Sequence, residues 1–154
     1  MKKLIVLLSL AMLSFGSFAA TEISAVASDS SLKILELVVG IKSTYSKSSA
    51  LDAKVVELLG GDGMNPTRMV LVLNSGYDSK TFELGEMMYQ VDRITFSDID
   101  TIVINYTQDT FGDLGNMDDL DDYEQIQVKR SMEIKVVRDS KGQLSDKIIV
   151  KNLK

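Results

Sequence analysis

Between Ile126 and Val136 the chain alternates with a period of two. Ile126, Val128, Arg130, Met132, Ile134 and Val136 share one face, and Gln127, Lys129, Ser131, Glu133 and Lys135 the other. Such alternation marks a strand with one buried face. Asp139, Ser140, Lys141 and Gly142 form a turn cluster, and Lys147, Ile148, Ile149, Val150 and Lys151 resume the apolar pattern. Residues 125–153 therefore predict a β-hairpin.

The middle of the chain reads the same way. Residues 68–73 are an apolar run opened by Asn65-Pro66 and closed by Asn74-Ser75-Gly76. Residues 88–96 end with Val91, Arg93 and Thr95 alternating against Ile94 and Phe96. A turn at Asp98 to Asp100 leads into residues 101–107, where Ile102, Ile104 and Tyr106 line one face. β-Branched and aromatic enrichment between closely spaced turns predicts strands.

The first third is ambiguous. Leu35, Leu37, Val39 and Ile41 fit a strand over 33–42, with Ser43 to Ala50 as a Ser-rich loop. Residues 51–59 fit two patterns. Leu51, Val55, Leu58 and Leu59 suit a helix capped by Ser49 and stopped by Gly60-Gly61, whereas Leu51, Ala53, Val55 and Leu59 suit a strand. Eight or so short strands predict an all-β, single-domain β-sandwich, with a small β-barrel and one short helix near 50–59 as the alternatives. An outer-membrane barrel would need about ten-residue lipid-facing segments and aromatic girdles, and eight aromatics after residue 19 do not supply them.

The N-terminus departs from this pattern. Lys2 and Lys3 precede an apolar stretch from Leu4 to Leu13, and small residues follow, with Ser17 and Ala19 in the -3 and -1 positions of a cleavage site. This is the layout of a bacterial secretory signal peptide. The expected organisation is a signal peptide over 1–19, cleaved near Ala19, and one domain over 20–154, periplasmic or secreted. Nothing downstream reaches 18 consecutive apolar residues, so no transmembrane segment is expected in the mature chain.

Composition narrows the chemistry. The chain has 154 residues, a formal charge of -5, no Cys and no His. Those absences exclude disulfides, zinc–thiolate sites, cysteine nucleophiles and the histidine-based triads. Without Lys2 and Lys3 the charge becomes -7, with 15 bases against 22 acids. That balance argues against nucleic-acid binding, which needs clustered Lys and Arg.

Charge is unevenly placed. Residues 98–124 hold nine acids and no base, and residues 125–154 hold eight bases and three acids. Residues 109–124 are expected to form one long acidic loop. Within it, Asp118, Asp119, Asp121 and Asp122, with Asn116 and Glu124 beside them, are the candidate ligands for Ca²⁺, a hard cation that takes 6–8 oxygens. The EF-hand spacing is not met. A solvated acidic surface, or one that steers a cationic partner, explains the same residues.

Other patterns explain less. Ser30-Ser31-Leu32-Lys33 matches a Ser-x-x-Lys pattern without its companion motifs. Gly60-Gly61-Asp62-Gly63 lacks the P-loop Lys and is expected to be a tight turn. Met64, Met69, Met87 and Met88 suit core filling better than a soft-metal site. The aromatics at strand positions are expected in the core.

The functional expectation is an exported, non-catalytic domain that binds a protein or another envelope component, with its oligomeric state open. The alternatives are a Ca²⁺-dependent structural or binding module using 109–124, and a small hydrolase built on a carboxylate pair. The binding reading predicts an exposed apolar or charged patch, and the hydrolase a cleft with two close acids.

Overall fold

Odd-numbered residues 51–55, 69–73 and even-numbered residues 102–106, 132–136 share a fate: all are buried. Each is an alternate position of a strand, so each strand turns one row of apolar side chains inward. A computed structural model describes residues 20–25, 37–76, 78–111 and 125–153. It contains β1 (Thr21–Ser24), β2 (Val38–Ser46), β3 (Leu51–Leu59), β4 (Thr67–Ser75), β5 (Asp78–Met88), β6 (Gln90–Asp98), β7 (Thr101–Phe111), β8 (Gln125–Arg138) and β9 (Leu144–Leu153).

The strands form two antiparallel sheets. One has five strands in the order β1-β9-β8-β7-β6, and the other four in the order β2-β3-β4-β5. Neither closes into a barrel, and the fold is an all-β sandwich. One cluster forms its core, including Phe82, Leu84 and Met88 of β5 and Ile148 and Val150 of β9. Each fully buried aliphatic or aromatic side chain contributes about 1.5–3 kcal/mol. No helix among the described residues is long and apolar enough to cross a membrane.

The hairpin turns β2–β3, β4–β5, β6–β7 and β8–β9 gather at one end, here the upper end. Ser49 Oγ donates to Ile99 O at 2.8 Å, Arg138 reaches Asp100 Oδ1 at 3.0 Å, and Asp78 Oδ2 accepts from Leu144 N at 2.7 Å. The lower end holds the 60–66 loop, Tyr89 and the facing ends of β7 and β8.

The hairpin over 125–153 is present, as β8 and β9 paired from Ser131↔Leu153 to Arg138↔Leu144. Several expectations need correcting. Residues 51–59 form a strand and no helix. Ser49, the candidate helix cap, instead ties two upper turns together. β2 runs on through Ser46, past the expected loop start, because its inward positions lie at the sandwich margin where polar residues are tolerated. Residues 88–96 are not one strand: β5 ends at Met88 and β6 begins at Gln90. In β6 a bulge between Val91 and Arg93 shifts the phase, so Val91 and Ile94 both point inward. Asp109 and Thr110 belong to β7, so they are strand and not loop.

Tyr106 gives the fold an alkaline limit. Burial pushes its phenol up to about 12, aided by the Glu86 carboxylate and opposed by Arg130. The folded chain keeps this proton where the unfolded chain, titrating near 10, has begun to lose it. The contribution is therefore complete below about pH 10 and lost as pH rises through about 12. Between about pH 9 and 11.5 the parent is expected to lose roughly 2 kcal/mol that Tyr106→Phe does not lose. Urea unfolding at the two pH values measures the difference.

Candidate functional site

The lower end concentrates the buried polar groups. Asn65, Thr67, Thr107 and Asp109 are all buried there, with Glu57 on the inner face of β3. Buried polar groups must find partners, and two of these, Glu57 and Asn65, bond across to the other sheet. Glu57 Oε2 accepts from Val91 N at 3.1 Å, linking β3 to β6. Thr67 Oγ1 donates to Met88 O at 2.7 Å.

Asn65 does more. β6 stops pairing with β7 at Gln90↔Thr107, leaving the β7 edge open at Asp109. The Asn65 amide fills that place. Nδ2 donates to Asp109 O at 2.9 Å, and Oδ1 accepts from Asp109 N at 2.8 Å. A carboxamide carries the same donor–acceptor pair as a peptide, so one side chain extends the ladder by one rung. The 60–66 loop aims it: Gly60 and Gly61 N–H both donate to Pro66 O, and Asp62 Oδ1 accepts from Met64 N and Asn65 N.

Two clusters here carry candidate chemistry. In the first, Lys129 Nζ donates to Thr107 Oγ1 at 2.6 Å, and Thr107 Oγ1 donates to Asp92 Oδ2 at 3.0 Å. Burial acts to raise the Asp92 pKa, but hydrogen bonds from Lys129, Thr107 and Gln90 outweigh it and hold the carboxyl below its ordinary value. Such a carboxylate is a poor base, and an ammonium donating to the hydroxyl cannot take its proton. The trio does not activate Thr107; it ties β6, β7 and β8 together. In the second, Asp109 is 5% exposed, with Oδ2 accepting from Gln125 Nε2 at 2.7 Å and Oδ1 buried without a hydrogen-bond partner among the described residues.

Two recesses occur elsewhere. One of about 380 Å³ lies between the β4–β5 and β8–β9 turns, lined by Ser75, Asp78, Lys141, Gly142 and Gln143. The other, about 180 Å³, lies where the β5 bulge at Gly85 meets β1 and β9. Among the described residues, the first is lined by a single carboxylate, Asp78, and the second by a single carboxylate, Glu86, already hydrogen-bonded to Asn152. Neither brings together the close acid pair that glycoside hydrolysis uses.

The outer faces of the sheets differ sharply. That of the five-stranded sheet presents Lys129, Glu133, Lys135, Lys147 and Lys151 beside Val103 and Ile149. That of the four-stranded sheet is apolar across three strands. Ile41 pairs with Val56 and Val56 with Val70; Val38 pairs with Leu58 and Leu58 with Arg68. Leu58 is only 4% exposed yet stands outside the core cluster, because it faces outward between Val38 and Arg68. Val39, Ile41, Tyr45 and Met87 are exposed around this tract. The ion pairs Arg68–Glu83, at 2.7 Å, and Lys54–Asp52, at 3.1 Å, border it. An apolar centre with a polar rim is the anatomy of a protein-binding surface.

The candidate Ca²⁺ ligands Asp118, Asp119, Asp121 and Asp122 lie outside the described residues, as do residues 1–19 and the Ser30–Lys33 motif. Among the described residues no three acids gather as a metal site. Met69 and Met88 fill the core, while Met87 is exposed. Phe82 and Tyr106 are buried and Phe96 packs on the core, but Tyr89 and Phe111 are exposed. Sequence reasoning missed Glu57 and Asn65, and placed Asp109 in the acidic loop where it belongs to β7. Glu57 could have been found, since it continues the inward row Leu51, Ala53, Val55. The pairing of Asn65 with Asp109, 44 residues apart, left no local signal.

No family model, curated protein or solved structure matches this chain.

Proposed function

We propose that the protein is an exported, non-catalytic domain of the cell envelope or extracellular space that binds another macromolecule through the outer face of its four-stranded sheet. The observation that carries this reading is the outward-facing apolar tract Ile41, Val56 and Val70, with Val39, Tyr45 and Met87 exposed around it. It lies on a sheet whose opposite face already supplies the core. Exposing a second apolar face costs solubility, so such a surface is retained where a partner covers it. The charged N-terminus, the apolar stretch and the small residues before Ala20 support export.

Affinity capture from envelope fractions tests the reading. The protein is expected to retain its partner at about 0.5 M salt, because apolar contacts are not screened. Val70→Lys is expected to lose the partner with the melting temperature nearly kept, and Lys135→Glu on the opposite sheet to retain it. Capture lost in salt but untouched by Val70→Lys would move the contact to a charged surface.

A further inference from the structure

β2 ends the four-stranded sheet, and among the described residues β3 is its sole hydrogen-bonded neighbour. No described strand pairs with its other edge, and a row of free backbone donors and acceptors is a template for a further strand. Natural edges are blunted by proline, by charge or by bulges. β2 has no proline and one charge, Lys42, and its bulge lies at one end, between Val38 and Gly40. Residues 40–46 are thus a regular edge of seven residues to which no strand among the described residues is hydrogen-bonded.

This stretch is complementary to itself. Ile41 and Tyr45, 59% and 58% exposed, are the most exposed large hydrophobic side chains among the described residues. They stand on the outer face, two positions either side of Ser43. An antiparallel partner centred on Ser43 places Ile41 opposite Tyr45 of the second copy, and Tyr45 opposite its Ile41. β-Branched–aromatic pairs are among the favourable cross-strand combinations. In the same register Lys42 faces Thr44 and Gly40 faces Ser46, so no like charges stand directly opposite. A centre on Lys42 would oppose two lysines.

We propose that two copies of this chain pair antiparallel through β2, with Ser43 opposite Ser43, joining their four-stranded sheets into one of eight. The two-fold axis runs perpendicular to the sheet, so both apolar outer faces lie on the same side and form one wider surface. The pairing joins the strand edges, with Ile41 and Tyr45 at the margin of that face beside the seam; it is argued from edge and register, so it does not rest on the binding reading above. Seven residues of edge, about 23 Å long and roughly 10 Å deep, bury a few hundred Å² per copy. A stable interface buries about 800 Å² per copy. The dimer is accordingly reversible, assembling in the micromolar range or above.

The chain has no cysteine, so single introduced thiols report geometry cleanly. Opposed residues in an antiparallel pair have Cα atoms about 4.5–5.5 Å apart, within reach of a disulfide. Ser43→Cys at about 50 μM under mild oxidation is expected to give a disulfide-linked dimer. Lys54→Cys, one strand inward on the same face, is expected to stay monomeric, since its copies lie about 14 Å apart. Sedimentation of the unsubstituted protein over about 1–200 μM is expected to show a monomer–dimer equilibrium. Ile41→Lys with Tyr45→Lys is expected to shift it to monomer and stop cross-linking of Ser43→Cys. Circular dichroism shows whether that double variant is folded, and the cysteine arms decide the matter without it. A monomer throughout the range, or Ser43→Cys cross-linking no faster than Lys54→Cys, overturns the proposal and leaves the edge to a different protein or to none.

Discussion

Gly61→Ala is expected to destabilise the fold by about 3–5 kcal/mol, the upper range for single substitutions. A Cβ on Gly61 would lie 1.8 Å from Asn65 O and 2.8 Å from Pro66 C. Both are backbone atoms, so no side-chain rotation relieves the overlap and the whole loop must move. Moving it breaks the N–H bonds of Gly60 and Gly61 to Pro66 O, and the Asp62 N–H bond to Asn65 O. It also withdraws Asn65 from β7. Gly63, two positions on, has nothing within 4 Å of its Cβ site and no positive φ. Gly63→Ala is therefore expected to be nearly neutral. Guanidinium unfolding of the three proteins checks this: a lowered midpoint with unchanged slope for Gly61→Ala alone. Equal midpoints for both variants would mean that the loop is not held as described.

Asn65→Ala is expected to cost about 2–4 kcal/mol. It removes two buried hydrogen bonds at once and leaves Asp109 N–H and C=O unpaired beyond the end of β6. An orphaned buried group costs about 1–3 kcal/mol. Combined with Gly61→Ala the loss is expected to be less than additive, by roughly 1 kcal/mol or more, because the first substitution already displaces Asn65. Additive losses would show that the two residues act independently. Hydrogen exchange gives a local check, since the Asp109 amide is expected to lose protection in either variant.

Most of the sheet structure was legible because burial imposes a period of two. Met132, Ile134 and Val136 announce an inward row, as do Ile102, Ile104 and Tyr106. Residues 51–59 were undecidable locally, since Leu51, Val55 and Leu59 satisfy both periods. The sheet settles them: Leu51, Ala53 and Val55 fill the core while Val56 and Leu58 face outward. β2 misled in another way. Its apolar residues face outward and its polar Lys42, Thr44 and Ser46 inward, so a polar run read as a loop is strand. The bulge at Asp92 was equally hidden, because a phase shift depends on the partner strand.

The candidate site divides along the same line. The apolar outer face is visible in the sequence only as extra hydrophobic residues, Val56, Val70 and Val72, between inward ones. Their alignment across three strands follows from register, which no short segment contains. The acidic cluster was legible as charge, but charge without geometry does not make a site.

The proposed binding surface is the outer face of the four-stranded sheet. Site-specific photo-cross-linking in the producing cells tests it most directly, with the reactive side chain at Val72 and, for comparison, at Lys135 on the opposite face. A discrete adduct is expected from Val72, larger than a dimer of the chain or of unequal composition, and none from Lys135. Adducts of equal yield from both positions, or none from Val72, would contradict it.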